Sequence, residues 1–392
     1  MTERLLTLNH SDVVGKLKKV EPSGKVQGEI ASELKQTIFG QDLAMDELSK
    51  ILARASCGIH DPNKPMGSVL LLGPTGVGKS ESARAIASVL LGDPEEGKKR
   101  TLFIDCGDYT QEHDVKKIQG SPHSYVGYGD DTVIGPQFLA NYAPGVIVVD
   151  EIEKAHPSFY KVLLSMLGDG RITVNTAYMS EEGPKRGPIE FSLENVFFVI
   201  TSNLGAQEIQ RLVEGRSIGF GPPVKEQDLH GAIERSSRAE LQKHFRNQPE
   251  FLGRIDSVIV YEPISDPEVF TKIVDKFTTQ FNNHNGEQFA LVNQIYDSGK
   301  KDKDDKPIMR TRKENQKVRD RIAPFIALTA EAKSLLVERS TGDKSYGARD
   351  IKRTFELMIT EVAELIADDT VGAKDFLVVS ASDGELEFYV GA

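Results

Sequence analysis

The chain has 392 residues, enough for two or three domains of about 150 residues each. Hydrophobic residues make up 39% and charged residues 27%, as in an ordinary soluble globular protein, and two distant cysteines exclude a disulfide scaffold and any CxxC metal site. No apolar stretch reaches the roughly 20 residues of a membrane-spanning helix, and the first residues lack a signal-peptide core, so we expect a cytoplasmic protein. The net charge of −11 argues against a membrane or nucleic-acid partner.

The acidic balance is reversed in one stretch. Residues 299–321 contain ten Lys or Arg and five Asp or Glu, a local charge of +5, and we interpret them as a basic insertion. Residues 1–25 contain few core candidates and predict a flexible lead. The rest of the chain is expected to form a large domain over 26–262 and a smaller C-terminal domain over 263–392.

The apolar pattern of the large domain alternates between helices and strands. It predicts a helix over 26–37 and a second over 42–56, with Asp42 as the cap and Leu43 among the inward residues. Five apolar runs then predict strands: Ser68–Leu72, Thr101–Ile104, Gly145–Val149, Val196–Thr201 and Ser257–Tyr261. Helical segments separate several of these runs, which predicts an α/β fold with a central parallel sheet covered on both faces.

After Pro263 the pattern becomes mostly helical. Helices are predicted over 266–283, 329–339 and 348–367, followed by two strands, DFLVVS and ELEFYV. We therefore expect a smaller α+β domain, interrupted by the basic insertion.

The sharpest motif in the sequence is a glycine-rich turn between the apolar strand SVLLL and a helix. Its eight residues fill every fixed position of the phosphate-binding loop: Gly73, Pro74, Thr75, Gly76, Val77, Gly78, Lys79 and Ser80. Glycines let backbone N–H groups curl around a phosphate, and the helix N-terminus adds positive potential. Lys79 is expected to neutralise phosphate charge, and the Ser80 hydroxyl to coordinate Mg²⁺. A plain strand-to-helix turn is the alternative.

A second motif supplies the carboxylates that nucleotide hydrolysis requires. The run VIVVDE ends an apolar strand with Asp150 and Glu151, about seventy residues after the glycine-rich turn. Asp150 is predicted to hold Mg²⁺, and Glu151 to polarise the attacking water. The alternative is a strand that simply ends in solvent.

Several longer segments now resemble one family, and they occur in its order. They include IFGQDLAMDELSKILARASCGIHDPNKPMGSVLLLGPTGVGKS, VIVVDEIEKAHPSFYKVLLSMLGDGRIT, VFFVITSNLGAQEI, PEFLGRIDSVIVYEPI and YGARDIKR. Together they resemble the second ATPase module of the Clp-type AAA+ unfoldases, the ClpB, ClpA and ClpC group, over about residues 37–367. The resemblance implies a P-loop AAA+ domain with a C-terminal lid, ATP and Mg²⁺ as cofactors, and a hexameric ring acting on polypeptides. No segment resembles the family's amino-terminal, first ATPase or coiled-coil domains, which implies a single-ring member.

The resemblance assigns three further residues to ATP hydrolysis. Asn203 corresponds to the sensor that binds the γ-phosphate or orients water, with a strand-end turn as the alternative. Arg254 corresponds to the arginine finger of a neighbouring subunit. Gly253 stands where the family usually has Asn, and an ion pair with Asp256 is the other interpretation of Arg254. Arg349 matches the second sensor, and its alternative is a solvent-exposed arginine at a helix start.

The resemblance also implies contacts with adenine and with substrate. Ile38 and Phe39 resemble the residues that pack on adenine, although simple core packing would explain them too. Tyr125 and Val126 lie in the segment SYVGY, which corresponds to the loop that lines the central channel of the ring. There an aromatic side chain grips an extended polypeptide by its area, and a solvated turn is the alternative.

Two other segments have less defined roles. Residues 175–193 are predicted to enlarge a hairpin near the channel. Ile218, Gly219 and Phe220 resemble a loop that docks a ClpP-type peptidase, although the match is only three residues long. The eight histidines form no HExxH or other ligand cluster, so a zinc site is not expected.

Three functional hypotheses follow from the sequence. The first is an ATP-driven polypeptide unfoldase or remodelling chaperone that works as a ring. The second is an assembly scaffold switched by nucleotide, which the complete set of hydrolytic residues disfavours. The third is a DNA-directed AAA+ motor or loader, which the basic insertion favours while the acidic total and the Tyr125 loop oppose it.

Overall fold

The computed structural model describes most of the chain outside its first 24 residues. The described residues are 25–92, 94–120, 132–134, 145–180, 183–213, 229–292, 296–301, 307–310, 324–341, 347–368, 370–371 and 376–391. Residues 1–24 of the predicted lead, the loop with Tyr125 and Val126, and the Ile218–Phe220 segment lie outside them, while Lys25 begins the first helix. Within the described residues, no helix is both long and apolar enough to cross a membrane.

A five-stranded parallel sheet forms the centre of the fold, as the sequence predicts. Its strands are β1 (Gly67–Leu72), β2 (Thr101–Asp105), β3 (Gly145–Asp150), β6 (Val196–Ser202) and β7 (Ser257–Val260). They are hydrogen-bonded in the order β2-β3-β6-β1-β7. Strands β3, β6 and β1 are therefore interior strands, and their carboxyl ends lie side by side at one edge of the sheet.

Helices and connecting elements surround this sheet. The helices are α1 (Lys25–Thr37), α2 (Asp42–Ser56), α3 (Lys79–Leu91), α4 (Pro94–Lys99), α5 (Glu112–Gln119), α6 (Pro157–Asp169), α7 (Ala206–Val213), α8 (Leu229–His244) and α9 (Pro249–Leu252). An antiparallel hairpin of β4 (Arg171–Ser180) and β5 (Gly183–Ser192) follows α6. The predicted hairpin over 175–193 is thus the outer part of a longer one.

The core lies on both faces of the sheet, because neighbouring strand residues point to opposite sides. In β1, Val69 and Leu71 join a cluster with α1, α2 and α3, whereas Leu70 and Leu72 join a cluster with α6, α7 and α8. All four side chains are fully buried. This double burial explains why the strands are continuous apolar runs rather than alternating ones.

Two details of α2 differ from the sequence prediction. Asp42 is the first residue of the helix and Gln41 occupies the cap position. Leu43 is 58% exposed rather than inward. Because an acidic residue in the first turn favours the helix dipole without capping it, the sequence does not separate these positions.

The C-terminal part has its own hydrophobic cluster and a mixed sheet. Its elements are α10 (Pro267–Val292), β8 (Tyr296–Lys301), β9 (Pro307–Arg310), β10 (Phe325–Leu328), α11 (Ala330–Thr341), α12 (Ala348–Ala367), β11 (Phe376–Ser382) and β12 (Glu385–Gly391). The β10-β11-β12 sheet pairs β10 parallel to β11 and β11 antiparallel to β12. Helices α10, α11 and α12 contribute to the same cluster. The domain limits at 262 and 263 stay a prediction.

Four elements of this part differ from the sequence prediction: strands β8, β9 and β10 were not predicted, and helix α10 was predicted to end too early. Strand β10 was not predicted, because a four-residue run places only two residues on each face. Helix α10 continues past the predicted end at residue 283, although Asn and Gly are poor helix formers. The Asn282 side chain donates to the Ile326 carbonyl and accepts from its amide, both at 2.9 Å. This tertiary contact joins the helix to β10.

Candidate functional site

The glycine-rich loop runs from the end of β1 to the start of α3 and requires its glycines. Gly73, Gly76 and Gly78 have φ values of 152°, 81° and 103°, which side chains rarely adopt. A Cβ atom on Gly73 would also lie 2.7 Å from the Tyr261 carbonyl oxygen. The loop is therefore bent by backbone conformations that only glycine adopts without strain.

The Lys79 ammonium group is buried inside this loop. The residue is 7% exposed, and Nζ donates to the Gly73 carbonyl at 2.5 Å, the Pro74 carbonyl at 2.7 Å and Asn203 Oδ1 at 2.8 Å. Burial lowers the pKa of Lys79 to about 8. Nearby carboxylates, of which Glu153 has the largest effect, oppose this shift because they favour the charged form of Lys79. Lys79 thus links the loop to the end of β6.

Asp150 and Glu151 follow one another at the end of β3, and Thr201 of the adjacent strand contacts both. The Thr201 hydroxyl donates to Asp150 Oδ1 and accepts from the Glu151 backbone N–H at 3.0 Å. Glu151 has φ 53° and ψ 53°, a left-handed conformation that turns the chain out of the sheet. Thr201 therefore ties both residues to the neighbouring strand.

Asn203 connects the catalytic candidates to each other. Its Nδ2 donates to Glu151 Oε1 at 2.7 Å, while its Oδ1 accepts from Lys79. The other Glu151 oxygen accepts from Lys154, and this hydrogen bond keeps the pKa of Glu151 below its usual range. The carboxylate is therefore ionised at neutral pH, the state that a general base requires.

These groups line a cleft of about 410 Å³, a size typical of small-molecule sites. Ile38 is buried and lies close to Gly78, whereas Phe39 packs against the C-terminal cluster. The cleft is lined by Ile38, Phe39, Thr75, Gly76, Val77, Gly78, Lys79, Ser80, Asp150, Glu151, Asn203, Ile264, Phe277 and Arg349, among others. The lining combines apolar side chains with charged and polar groups, as an amphipathic nucleotide requires.

The C-terminal part closes this cleft by direct contact with the glycine-rich loop. The Ala348 N–H, in the first turn of α12, donates to the Gly76 carbonyl at 2.8 Å. A Cβ atom on Gly347 would lie 3.0 Å from that same oxygen. Arg349 follows directly and lines the cleft. The start of α12 and the apex of the loop therefore form one surface.

The sequence does not predict two further contacts between distant segments, of which the first joins α3 to the C-terminal part. Lys276 of α10 donates to Glu81 Oε1 at 2.6 Å and to the Thr37 carbonyl at 3.0 Å. Gln41 makes a double hydrogen bond with the backbone of Glu262, at 2.8 and 3.1 Å. A glutamine after IFG is the only sequence signal for the second contact.

Arg254 lies away from the nucleotide cleft, near the amino ends of β1 and β7. It lines a separate cavity of about 830 Å³, and a Cβ atom on Gly168 would lie 3.0 Å from its guanidinium carbon. The Asp256 carboxylate contacts Arg54 at 2.9 Å and accepts from the Ser68 backbone N–H at 2.8 Å. The Asp256 carboxylate therefore contacts Arg54 and Ser68, and the structure shows no ion pair between Asp256 and Arg254.

The donors in the cleft fit a magnesium ion that arrives with nucleotide. Asp150 and Ser80 both line the cleft and offer a carboxylate and a hydroxyl oxygen, the hard ligands that Mg²⁺ prefers. Within the described residues, no group of three or more His, Cys, Asp or Glu side chains could hold a metal alone. One or two protein oxygens with phosphate oxygens are the usual arrangement for Mg²⁺.

Comparisons with known proteins agree with this geometry. Residues 64–258 match the family described as AAA domain (Cdc48 subfamily). The chain is 31% identical over 396 residues to the chaperone protein ClpB of Rhodopseudomonas palustris, covering 99% of this chain and 38% of the relative. It is 35% identical over 255 residues to the Clp protease ATP-binding subunit ClpC of Staphylococcus aureus, covering 64% of this chain and 28% of the relative.

A solved structure extends the similarity to the whole fold. The closed state of Hsp104 with ATPγS and FITC casein, reconstructed by cryo-electron microscopy, matches with a TM-score of 0.65 and 25% identity. The match covers 95% of this chain and 53% of that one. The chain spans well under half the length of the ClpB and ClpC relatives.

Proposed function

We propose that this chain, which belongs to the Clp-type AAA+ ATPases, couples ATP hydrolysis to the unfolding or remodelling of polypeptides. The observation that carries the proposal is the hydrogen-bonded series Lys79–Asn203–Glu151. It lies in a cleft that the start of α12 closes. A cleft built this way binds a phosphate chain and responds to it by moving the C-terminal part.

Each residue of the cleft has a separate part in ATP hydrolysis. The amides of residues 73–80 and the Lys79 ammonium bind the phosphates, as in other phosphate-binding loops. Asp150 and Ser80 hold the Mg²⁺ that neutralises phosphate charge. Glu151 accepts the proton of the attacking water, and Asn203 holds Glu151 in place for that role. Arg349 contributes positive charge from the C-terminal part.

Arg254 supports a ring as the working form. It lies outside the cleft of its own chain, so it can reach a γ-phosphate only in another copy. A contact between different surfaces of identical chains closes into a ring when the rotation permits it. We propose six subunits, with polypeptide passing through a central channel lined by Tyr125 and Val126.

The decisive experiment measures ATP turnover and unfolding of a tagged substrate on the same preparations. Tyr125→Ala removes the gripping side chain, so unfolding is expected to fall far more than ATP turnover, whereas Tyr125→Phe keeps the area and most of the unfolding. A core role for Tyr125 predicts loss of both, since truncation of a buried aromatic costs about 3–5 kcal/mol.

The same experiment separates the DNA-motor hypothesis. If Tyr125→Ala unfolds substrate at the wild-type rate, threading through the channel is wrong. Salt-dependent DNA binding that disappears when the basic insertion is deleted would then favour the motor. Docking of a ClpP-type peptidase by Ile218, Gly219 and Phe220 stays a prediction, and a pull-down with Phe220→Ala tests it.

A further inference from the structure

The carboxyl ends of β3 and β6 leave the sheet at different points. The two strands pair in parallel with Val149 opposite Ile200, so continuation of the register would place residue 152 opposite Asn203. The chain turns away at Glu151 and enters a short 3₁₀ turn over Ile152–Lys154 instead. The backbone N–H of Asn203 therefore has no strand carbonyl to bind, and a buried N–H without an acceptor is costly.

Two side chains replace the missing strand contacts in a reciprocal way. From β6, the Thr201 hydroxyl accepts the Glu151 N–H at 3.0 Å. From the turn after β3, Glu153 Oε1 accepts the Asn203 N–H at 3.0 Å. Each strand end is thus held by a side chain of the other. Thr201 also contacts Asp150. Glu153 instead contacts Asn203, whose side chain joins Lys79 to Glu151.

We propose that Glu153 is a positioning residue for Asn203. Its carboxylate fixes the backbone of Asn203 at the end of β6, and this fixes the direction in which the amide side chain leaves. The 2.7 and 2.8 Å contacts of that amide depend on this direction. The inference rests on the proposed roles of Asn203 and Glu151 in ATP hydrolysis and extends them to a residue outside the cleft lining.

The second oxygen of Glu153 shows which property of the side chain matters. Oε2 is buried and makes no hydrogen bond within the part of the chain that the structure describes. One acceptor oxygen is therefore sufficient for the contact with Asn203, while the charge of Glu153 acts separately by favouring the charged form of Lys79. Glutamine keeps an acceptor at the same distance, whereas alanine removes it.

The test is a double-mutant cycle on ATP hydrolysis. The proteins are wild type, Glu153→Ala, Glu153→Gln, Asn203→Ala and the Glu153→Ala/Asn203→Ala pair, with Glu194→Ala as an exposed-carboxylate control. Steady-state kcat, binding of a fluorescent ATP analogue and the thermal midpoint are measured for each. We expect Glu153→Ala to lower kcat about tenfold or more with analogue binding close to wild type, and to lower the midpoint by about a few degrees because the Asn203 N–H loses its acceptor.

Two results would contradict the proposed role of Glu153. In the Asn203→Ala background, loss of Glu153 is expected to have no further effect on kcat, because the residue acts through Asn203. Additive effects would overturn the proposal, and so would a Glu153→Gln protein that binds the analogue as wild type does yet turns ATP over as slowly as Glu153→Ala. If Glu153→Ala does not fold, Glu153→Gln still decides: near-wild-type kcat supports the acceptor role. ATP turnover is measured without polypeptide, so failure of the unfoldase proposal leaves this result intact.

Discussion

The two polar regions at opposite ends of the central sheet differ in how complete they are. At the carboxyl ends, Lys79, Asn203 and Glu151 bind one another, and α12 covers them. At the amino ends, the guanidinium of Arg254 lies beside an open cavity and makes no ion pair with any residue that the structure describes. The first region can bind its ligand within one chain, while the second needs another molecule to use its charge.

The largest effect is expected from a substitution in the second region, the one around Arg254. Arg254→Ala should reduce ATP turnover about 10³-fold or more, because an arginine finger stabilises the charge of the transferring phosphoryl group. ATP binding should change little, since Arg254 is outside its own cleft. The measurement is steady-state phosphate release beside equilibrium binding, with Arg246→Ala as the exposed-arginine control.

Mixing subunits sharpens this prediction. An interface between the intact cleft of an Arg254→Ala subunit and the intact finger of a Glu151→Gln subunit is complete, so mixtures should recover turnover that neither protein has alone. A fully active monomer at low concentration, found by sedimentation together with activity, would contradict the assignment.

In the first region, Glu151→Gln removes the group that accepts the proton of the attacking water. Turnover is expected to fall about 10²- to 10³-fold because the amide cannot accept a proton from water. The amide oxygen can still accept from Asn203 Nδ2, so the cleft should keep its shape and its affinity for ATP. Single-turnover hydrolysis and nucleotide binding check the two parts, and normal turnover would remove Glu151 from the mechanism.

In the same region, Lys79→Ala is expected to weaken the binding of ATP instead. ATP affinity is expected to fall about 10- to 100-fold, the amount that a hydrogen bond between charged groups contributes. The variant also leaves the Gly73 and Pro74 carbonyls without their donor. Titration with a fluorescent nucleotide measures the affinity, and an affinity equal to that of wild type would show that the loop binds phosphate without its lysine.

The smallest expected effect comes from Gly168→Ala. The added methyl would lie 3.0 Å from the guanidinium carbon of Arg254, a flexible group that can move aside. The thermal midpoint should stay equal or rise slightly, since Ala favours helix over Gly near the end of α6. ATP turnover should fall several-fold because the finger is displaced. A loss of stability with unchanged turnover would mean that the contact is only structural.

The sequence predicted the parts of the site that are formed by neighbouring residues. The five strands were predicted within one or two residues of their observed ends, since each is a continuous apolar run. The glycine-rich loop followed from its own residues, because only glycine fits its positive φ values. The pair Asp150 and Glu151 followed from its position at a strand end. These features depend on local backbone preference and on burial, both of which are recorded in consecutive residues.

Only the tertiary structure decided which distant groups meet. Lys79 and Asn203 are 124 positions apart, and Ser68 and Asp256 are 188 apart. Their contacts depend on the strand order β2-β3-β6-β1-β7, which places β6 beside both β1 and β3. Strand β10 formed for a similar reason, since β11 offered it an edge. Local pattern carries no information on such pairing, because many strand orders bury the same apolar residues equally well.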